Sequence, residues 1–509
     1  QMLTESSLVA AIGAVIGVGG AYWMTNLLMD VTHGGANPIP SFIVFRINGA
    51  VLAFVAGAAA FSALISGLLP AYVASRANAS AVLKDFGRGH SSRILGIVNR
   101  SLVVFQIVVT SILLTGSALQ LQSIRQQQNT DFGYDTNGIL SARLALMEGD
   151  YPDSARKKAF FDRALLQMRS NQTYARVALT TRFQMLFTGA GPVEIEGQQY
   201  LAATDRPNAN FENVSSGYFQ ALGAKILEGR DFAEDDSDQK QPVAIVNAGF
   251  AAKHFGHDSA LGRRFRTTDV NGEIFSPWRT IIGVVSDVRM TGPFNNAPNF
   301  DGTGFYVPFY ASPTGAAVDQ PVAPQFATVL VRPRPGQAAV TLSNDLLRDI
   351  AKLDPNLPPY FVATPATNLD GILAQSRVVA TMFSIFGLIA VILSAVGLYG
   401  VMSFSVNQRR QEFGTRMVLG ADRQRILRMV LKQGFVQLVI GLVLGLGLAL
   451  AIAKVGGEGI RQALFQVNPN DPLIFLAVSG LIAVVAFAAT IVPARRATRV
   501  DPAVAMRSE

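Results

Sequence analysis

The chain has 509 residues, of which 50% are hydrophobic and 15% charged, with a mean hydropathy of +0.30 and a formal net charge of +8. The apolar residues gather into long runs with the basic residues crowded beside them, which points to membrane spans and leaves no nucleic-acid partner expected. Cysteine is absent, so neither a disulfide framework nor a thiolate metal site can form.

The chain opens on QMLTESS, shows no signal-peptide pattern, and enters an apolar run almost at once. Six runs, at 6–29, 47–74, 101–121, 378–404, 434–454 and 473–492, predict membrane spans. Each is near or above the roughly 20 residues a helix needs to cross the hydrocarbon. None carries Asp, Glu, Lys, Arg or His in its interior, which argues against a proton-relay transporter. The connectors set the orientation. Arg76, Lys84, Arg88, Arg93 and Arg100 stand against Asp85 alone, and the tail holds Arg495, Arg496, Arg499 and Arg507. Positive charge marks the cytoplasmic side, so both termini are expected in the cytoplasm and residues of about 122–376 outside it.

That outer segment reads as an α+β domain. Near its start, Ile139–Leu146 and Ala175–Thr181 read as strands around a helix at Asp153–Arg169. Near its end, Ala327–Val331 and Tyr360–Ala363 read as strands around a helix at Ala338–Leu353. Two β-α-β units split by an insertion predict ferredoxin-like halves. The insertion, about 195–316, carries strands at Val243–Asn247 and Thr280–Val285 and a helix at Ala248–Phe255, and predicts a β-rich subdomain. The expected fold is therefore a polytopic α-helical membrane protein with six transmembrane helices and a large extracytoplasmic α+β domain.

The first two spans resemble the last two. Gly13, Gly17 and Gly19 match Gly441, Gly445 and Gly447 at one constant offset, and Pro70, Arg76 and Leu83 match Pro493, Arg499 and Met506 at another. Small residues at this spacing let helices approach closely, so Gly441, Gly445 and Gly447 are expected at a packing face. Residues 1–92 then read as the last two spans and tail of an earlier copy, which would make the chain N-terminally truncated. In the second copy, 93–121 carries its first span, 122–376 its outer domain, and 377–509 three further spans.

The connector from Asn407 to Gly434 holds seven Arg or Lys residues against Glu412 and Asp422. Its first part, with Arg409 and Arg410, predicts a basic helix in which Glu412 and Arg416 sit four apart in the favourable order. Gly420 suits a left-handed cap and Asp422 the next N-cap. Arg423 and Arg425 place positive charge in a helix's first turn, against the dipole. Anionic lipid headgroups or the acidic surface of a protein partner would favour them there.

Enzymatic signals are lacking. The chain contains no Gly-Lys pair, so no Walker A loop can be drawn, and no cofactor or metal is expected. His254 and His257 read as exposed loop residues. The run Glu234-Asp235-Asp236-Ser237-Asp238 lacks the pattern of a calcium loop and reads as a solvated turn. Glu194 and Glu196 share one face of a strand and read as a solvent-facing edge.

At these residues the chain resembles the FtsX-like permeases of ABC transporters, including the MacB-like group, and most of all its duplicated, ATPase-less members. QRRQEFGTRMVLGADRQRIL is similar to the family's connector, and PARRATRVDPAVAMRSE to its C-terminal signature. NVSSGYFQALGAKILEGRDFAEDD, PVAIVNAGFAAKHFG and IIGVVSDVRM resemble its external core domain. The resemblance implies an inner-membrane permease powered by a separate ABC ATPase, with motion passed to the outer domain by mechanotransmission. It further implies coupling to the ATPase through 407–433, export or efflux as the outcome, and a homodimer or internal pseudo-dimer. A periplasmic adaptor or outer-membrane channel would be a further partner, beside membrane lipids. The alternative is a non-transporting regulator of a cell-wall hydrolase or other outer partner.

Overall fold

The computed structural model describes residues 2–33, 46–75, 90–238, 242–269, 271–292, 301–312, 322–418, 422–456, 464–465 and 467–497. The chain divides into two units. One comprises 1–124, 374–460 and 467–509; the other comprises 125–373 with 461–466.

Among the described residues three helices come first: α1 (Met2–His33), α2 (Gly49–Ser75) and α3 (His90–Gln128). α1 and α2 pack on each other. Around Gly13, Gly17 and Gly19 of α1 there is open space, so within this chain they mark no close helix contact. α3 extends past the apolar run at 101–121 on both sides. At 1.5 Å per residue its 39 residues span about 58 Å, well beyond a hydrocarbon core of roughly 30 Å.

The second unit follows in the order β1 (Leu140–Ala145), α4 (Ser154–Ser170), β2 (Tyr174–Thr180), β3 (Gly189–Ile195), β4 (Asn208–Val214), α5 (Tyr218–Leu222) and β5 (Ile226–Gly229). It continues with β6 (Val243–Asn247), α6 (Ala248–Phe255), β7 (Arg264–Thr267), β8 (Arg279–Val285), β9 (Gly304–Pro308), β10 (Phe326–Pro333), α7 (Ser343–Leu353) and β11 (Tyr360–Ala363). Asp153 caps α4 by accepting from the Arg156 backbone N–H at 2.7 Å. Strands β11, β1, β10 and β2 lie side by side in that order, all antiparallel. With α4 and α7 as the two connecting helices this is a ferredoxin-like arrangement. Its core joins Phe160, Phe161 and Met168 of α4 to Leu346 and Ile350 of α7 and to Val177, Val329 and Val331 of the sheet.

The insertion is larger than the sequence suggests. It runs from the end of β2 to the start of β10 and holds seven strands, not two. Six of them pair in the cycle β4-β3-β7-β8-β6-β9, and a parallel β4–β9 ladder closes the ring. Val193, Val246, Phe265, Ile281 and Phe305 fill the resulting barrel. β5 pairs on β8 outside the ring, and β2 meets β4 through the pair Thr180–Val214.

Among the described residues four helices follow: α8 (Pro365–Gln408), α9 (Arg410–Val418), α10 (Arg423–Val455) and α11 (Pro472–Ala497). Five helices are long and apolar enough to cross a membrane. The sixth expected span, 47–74, falls on α2, whose apolar stretch Gly49–Leu64 stops short of that length among the described residues. α3, α8, α10 and α11 share one core that includes Ile107, Met402, Val430 and Ile482. Between α3 and α8, hydroxyl pairs at Thr110–Ser394 and Ser117–Ser384, each 2.8 Å, satisfy polar groups that lipid could not.

Candidate functional site

The segment 407–434, expected from the sequence to couple to a partner, is assembled from the end of α8, the whole of α9 and the first turns of α10. Nine residues form too short a helix to persist alone, so α9 is held by what it packs against. Phe413 is 1% exposed and joins the core of Val406, Ile426, Val430 and Ala494, and the partly buried Met417 lies one turn on. Sequence reading singled out the charges here and passed over Phe413. Its signal was present, since Phe413 and Met417 are four apart and form a one-turn apolar stripe.

The charged residues flank this apolar stripe, Arg409 just before α9 and Glu412 and Arg416 on it. Glu412 accepts from Arg409 Nε at 2.6 Å and from Arg409 Nη2 at 2.8 Å, a two-pronged pair, and Arg416 Nη2 reaches Glu412 Oε1 at 2.6 Å. The Arg409 hydrogen bonds hold the Glu412 carboxyl below its ordinary range. Arg409 also lies over the Phe413 ring, 5.5 Å from its centroid, and Arg416 Nη1 sits 3.1 Å from Met429 Sδ of α10. Glu412 therefore ties the two flanking arginines together across one turn.

The backbone of Arg410 opens α9, and its side chain lies outside the described residues, as does Gly420 with both its neighbours. Asp422 occupies the N-cap position of α10 in extended conformation, and its carbonyl accepts from Arg425 N at 3.0 Å. Its carboxylate makes no capping hydrogen bond, contrary to the side-chain cap expected of it. Arg423 and Arg425 are exposed and form no ion pair with a described residue. Local structure uses Arg409 and Arg416 and leaves these two unanswered.

Of the glycines expected at a packing face, Gly441 and Gly445 meet α3. A Cβ on Gly441 would fall 2.6 Å from Ile107 Cγ2, and one on Gly445 2.7 Å from Ser111 Cβ and 3.0 Å from Val108 Cα. Gly447 faces open space, so it lines no helix contact within this chain. The i, i+4 pair lies on one face of α10 and Gly447 is rotated off it.

In the outer unit, His254 lies in the last turn of α6 and not in a loop, its ring tilted against that of Phe250 with centroids 4.4 Å apart, where burial lowers its pKa to about 4. His257 follows the helix and is exposed. Glu194 lies in β3 while Glu196 falls just past its end, in the turn that follows, and arginines engage both. Glu194 pairs with Arg206 at 3.2 Å and Arg266 at 2.7 Å, and Glu196 pairs with Arg264. The acidic run forms a short 3-10 helix, Glu234–Asp238, in place of the expected solvated turn, with Asp236 paired to Arg230 at 2.6 Å and Glu234 to Arg169 at 3.0 Å.

A family model for the MacB-like periplasmic core domain matches residues 106–348, and one for the FtsX-like permease C-terminal matches residues 384–502. The chain carries a MacB-like core domain and an FtsX-like permease domain. The coupling segment lies inside the FtsX-like match and the barrel inside the MacB-like one. Similar relatives include the macrolide export ATP-binding/permease protein MacB of Hahella chejuensis, 23% identical over 330 residues, covering 62% of this chain and 46% of the relative. MacB of Syntrophobacter fumaroxidans is 27% identical over 316 residues, covering 57% and 42%. The chain thus spans under half the length of the curated relatives it matches. The solved periplasmic region of MacB from Actinobacillus actinomycetemcomitans aligns at 15% identity and a TM-score of 0.29, covering 47% of this chain and 94% of that one.

Proposed function

We propose that this chain is the permease component of an ABC-type export system. A separate ATPase engages the 407–433 segment, and its motion reaches the extracytoplasmic MacB-like domain through the membrane helices. The observation that carries the reading is the division of charge in the segment. Glu412 engages Arg409 and Arg416, the apolar side of α9 is seated in the helix core, and Arg423 and Arg425 are presented without a described counter-charge. An acidic groove on a soluble partner supplies what the helix dipole opposes.

Two further observations support it. The relatives are named as export proteins with an ATP-binding part, and this chain contains no Gly-Lys pair from which a Walker A loop could be built. In this reading the segment and both termini face the cytoplasm of a bacterial inner-membrane protein, the chain itself is no enzyme, and it works as a homodimer or an internal pseudo-dimer.

The test is a pull-down of the cognate ATPase subunit with the full chain in detergent. Reversing charge at both positions, R423E/R425E, should weaken capture about tenfold or more while the chain still inserts and purifies. Unchanged capture would sink the assignment, as would ATP turnover by the purified chain alone.

A further inference from the structure

We infer that the groove between α10 and α11, at the end of these helices nearest the coupling segment, binds one anionic glycerophospholipid. This inference stands independently of how the ATPase docks. The groove encloses about 660 Å³, within the roughly 300–1,000 Å³ of ordinary ligand sites. Its sides are apolar, with the rings of Phe435 and Phe487 exposed at 64% and 57%. Gly434 sets its floor: a Cβ there would lie 2.8 Å from Thr490 Cγ2, so the two helices come together beneath the opening. The Thr490 hydroxyl donates to the Ala486 carbonyl of its own helix at 2.9 Å, which turns the methyl toward the groove.

The mouth has the opposite character. Arg428 and Lys432 line it, one turn apart on α10, both exposed and neither in an ion pair with a described residue. No acid occurs anywhere in α10 or α11 to answer them. Two cations above an apolar slot at a membrane interface match a phosphodiester headgroup over an acyl chain. A second copy of this chain is the poorer occupant, because the same face would bring the same cations and no carboxylate. Free phosphate would satisfy the mouth and leave the slot unfilled.

The test uses the full chain in neutral detergent with equimolar phosphatidylglycerol and phosphatidylcholine of matched chains, with retained lipid counted by native mass spectrometry. The wild type should hold phosphatidylglycerol about tenfold in preference, and R428Q/K432Q should abolish that preference. R428K/K432R should keep it, which separates charge from misfolding, and A483W should displace both lipids by filling the slot. Equal retention by the wild type, or an undiminished preference in R428Q/K432Q, overturns the inference. So does displacement of the lipid by glycerol phosphate, which would mean a phosphate site. The chain lacks cysteine, so F435C and F487C can report on a second copy. A disulfide between copies in native membranes would put that copy in the groove and overturn the lipid assignment.

Discussion

Asp349 offers the sharpest test of how the outer domain is held together. It sits on α7, 4% exposed, and its carboxylate accepts from Asn171 Nδ2 at 2.7 Å, Tyr174 Oη at 2.9 Å and Lys352 Nζ at 2.9 Å. Asn171 caps the C-terminus of α4 and Tyr174 opens β2, so one carboxylate on α7 pins both helices of the ferredoxin-like half to the sheet. Hydrogen bonds to an ionised group contribute about 1.5–3 kcal/mol each. The Lys352 side chain is 67% exposed and adds little. D349A strands two donors at once and should cost about 3–5 kcal/mol; Y174F should cost about 1.5–2.5 kcal/mol. Because they share one bond, the double variant D349A/Y174F should cost less than the sum by about 1 kcal/mol or more.

The assay is urea unfolding of the full chain in detergent on a W23F background, which leaves Trp278 of the outer domain as the sole tryptophan. The pH dependence has a defined sign. Burial works against the carboxylate, but its bonds to Lys352, Asn171 and Tyr174 outweigh that and hold Asp349 below its ordinary value of 3.8. A depressed folded-state value gives stability that is complete above the unfolded pKa and lost as pH falls through the folded one. Wild type should therefore lose more stability than D349N as pH falls below about 4. A D349A cost under about 1 kcal/mol, or strict additivity with Y174F, would refute the pinning argument.

Two further expectations are simpler to check. G445A gains helix propensity of about 1 kcal/mol yet places a Cβ against Val108 and Ser111, so it should lower the melting midpoint of the detergent-solubilised chain, whereas G447A, facing open space, should raise or leave it; equal effects would remove the close α3–α10 approach from the account. Protease added to sealed right-side-out vesicles should cut within 122–376 and spare 407–433, and full protection of the outer segment would reverse the topology.

The ferredoxin-like half was legible because its elements obey simple periods. Leu346 and Ile350 recur at helical spacing, and β10 is a run of apolar residues buried along nearly all its length. The barrel was not, because its strands break those rules. β4 reads NANFENV, yet Asn210, Glu212 and Asn213 are all buried. Asn210 donates to the carbonyls of Asp301 and Thr303, and Asn213 to those of Phe309 and Ala311, so these two side chains are satisfied by backbone flanking the neighbouring strand β9, far off in sequence. β3, GAGPVEI, carries Gly and Pro where a strand is expected to be β-branched. The membrane runs were found by hydropathy, but the extensions of α3 to Gln128 and of α8 back to Pro365 are polar and carry no such mark. In the coupling segment the i, i+4 ion pair could be read locally. The seat of Phe413 could not, since it depends on Val406, Val430 and Ala494 from three other helices.

That seat decides how the coupling segment should fail. If the segment works by presenting Arg423 and Arg425 from a fixed position, its anchor matters more than its surface ion pairs. Glu412 is about one-third exposed, as is Arg409, and pairs of that kind contribute roughly 0–1 kcal/mol. E412Q should then lower ATPase capture by no more than about threefold. F413A removes a side chain that is 1% exposed, and Phe→Ala in a packed site costs about 3–5 kcal/mol, far more than a nine-residue helix can recover from its own hydrogen bonds. Capture should fall by about tenfold or more, and amide exchange across 410–418 should rise while exchange in α10 beyond Gly434 stays slow. The opposite ranking, with E412Q abolishing capture and F413A sparing it, would mean that the partner reads the ion pair itself and that the seated helix is incidental.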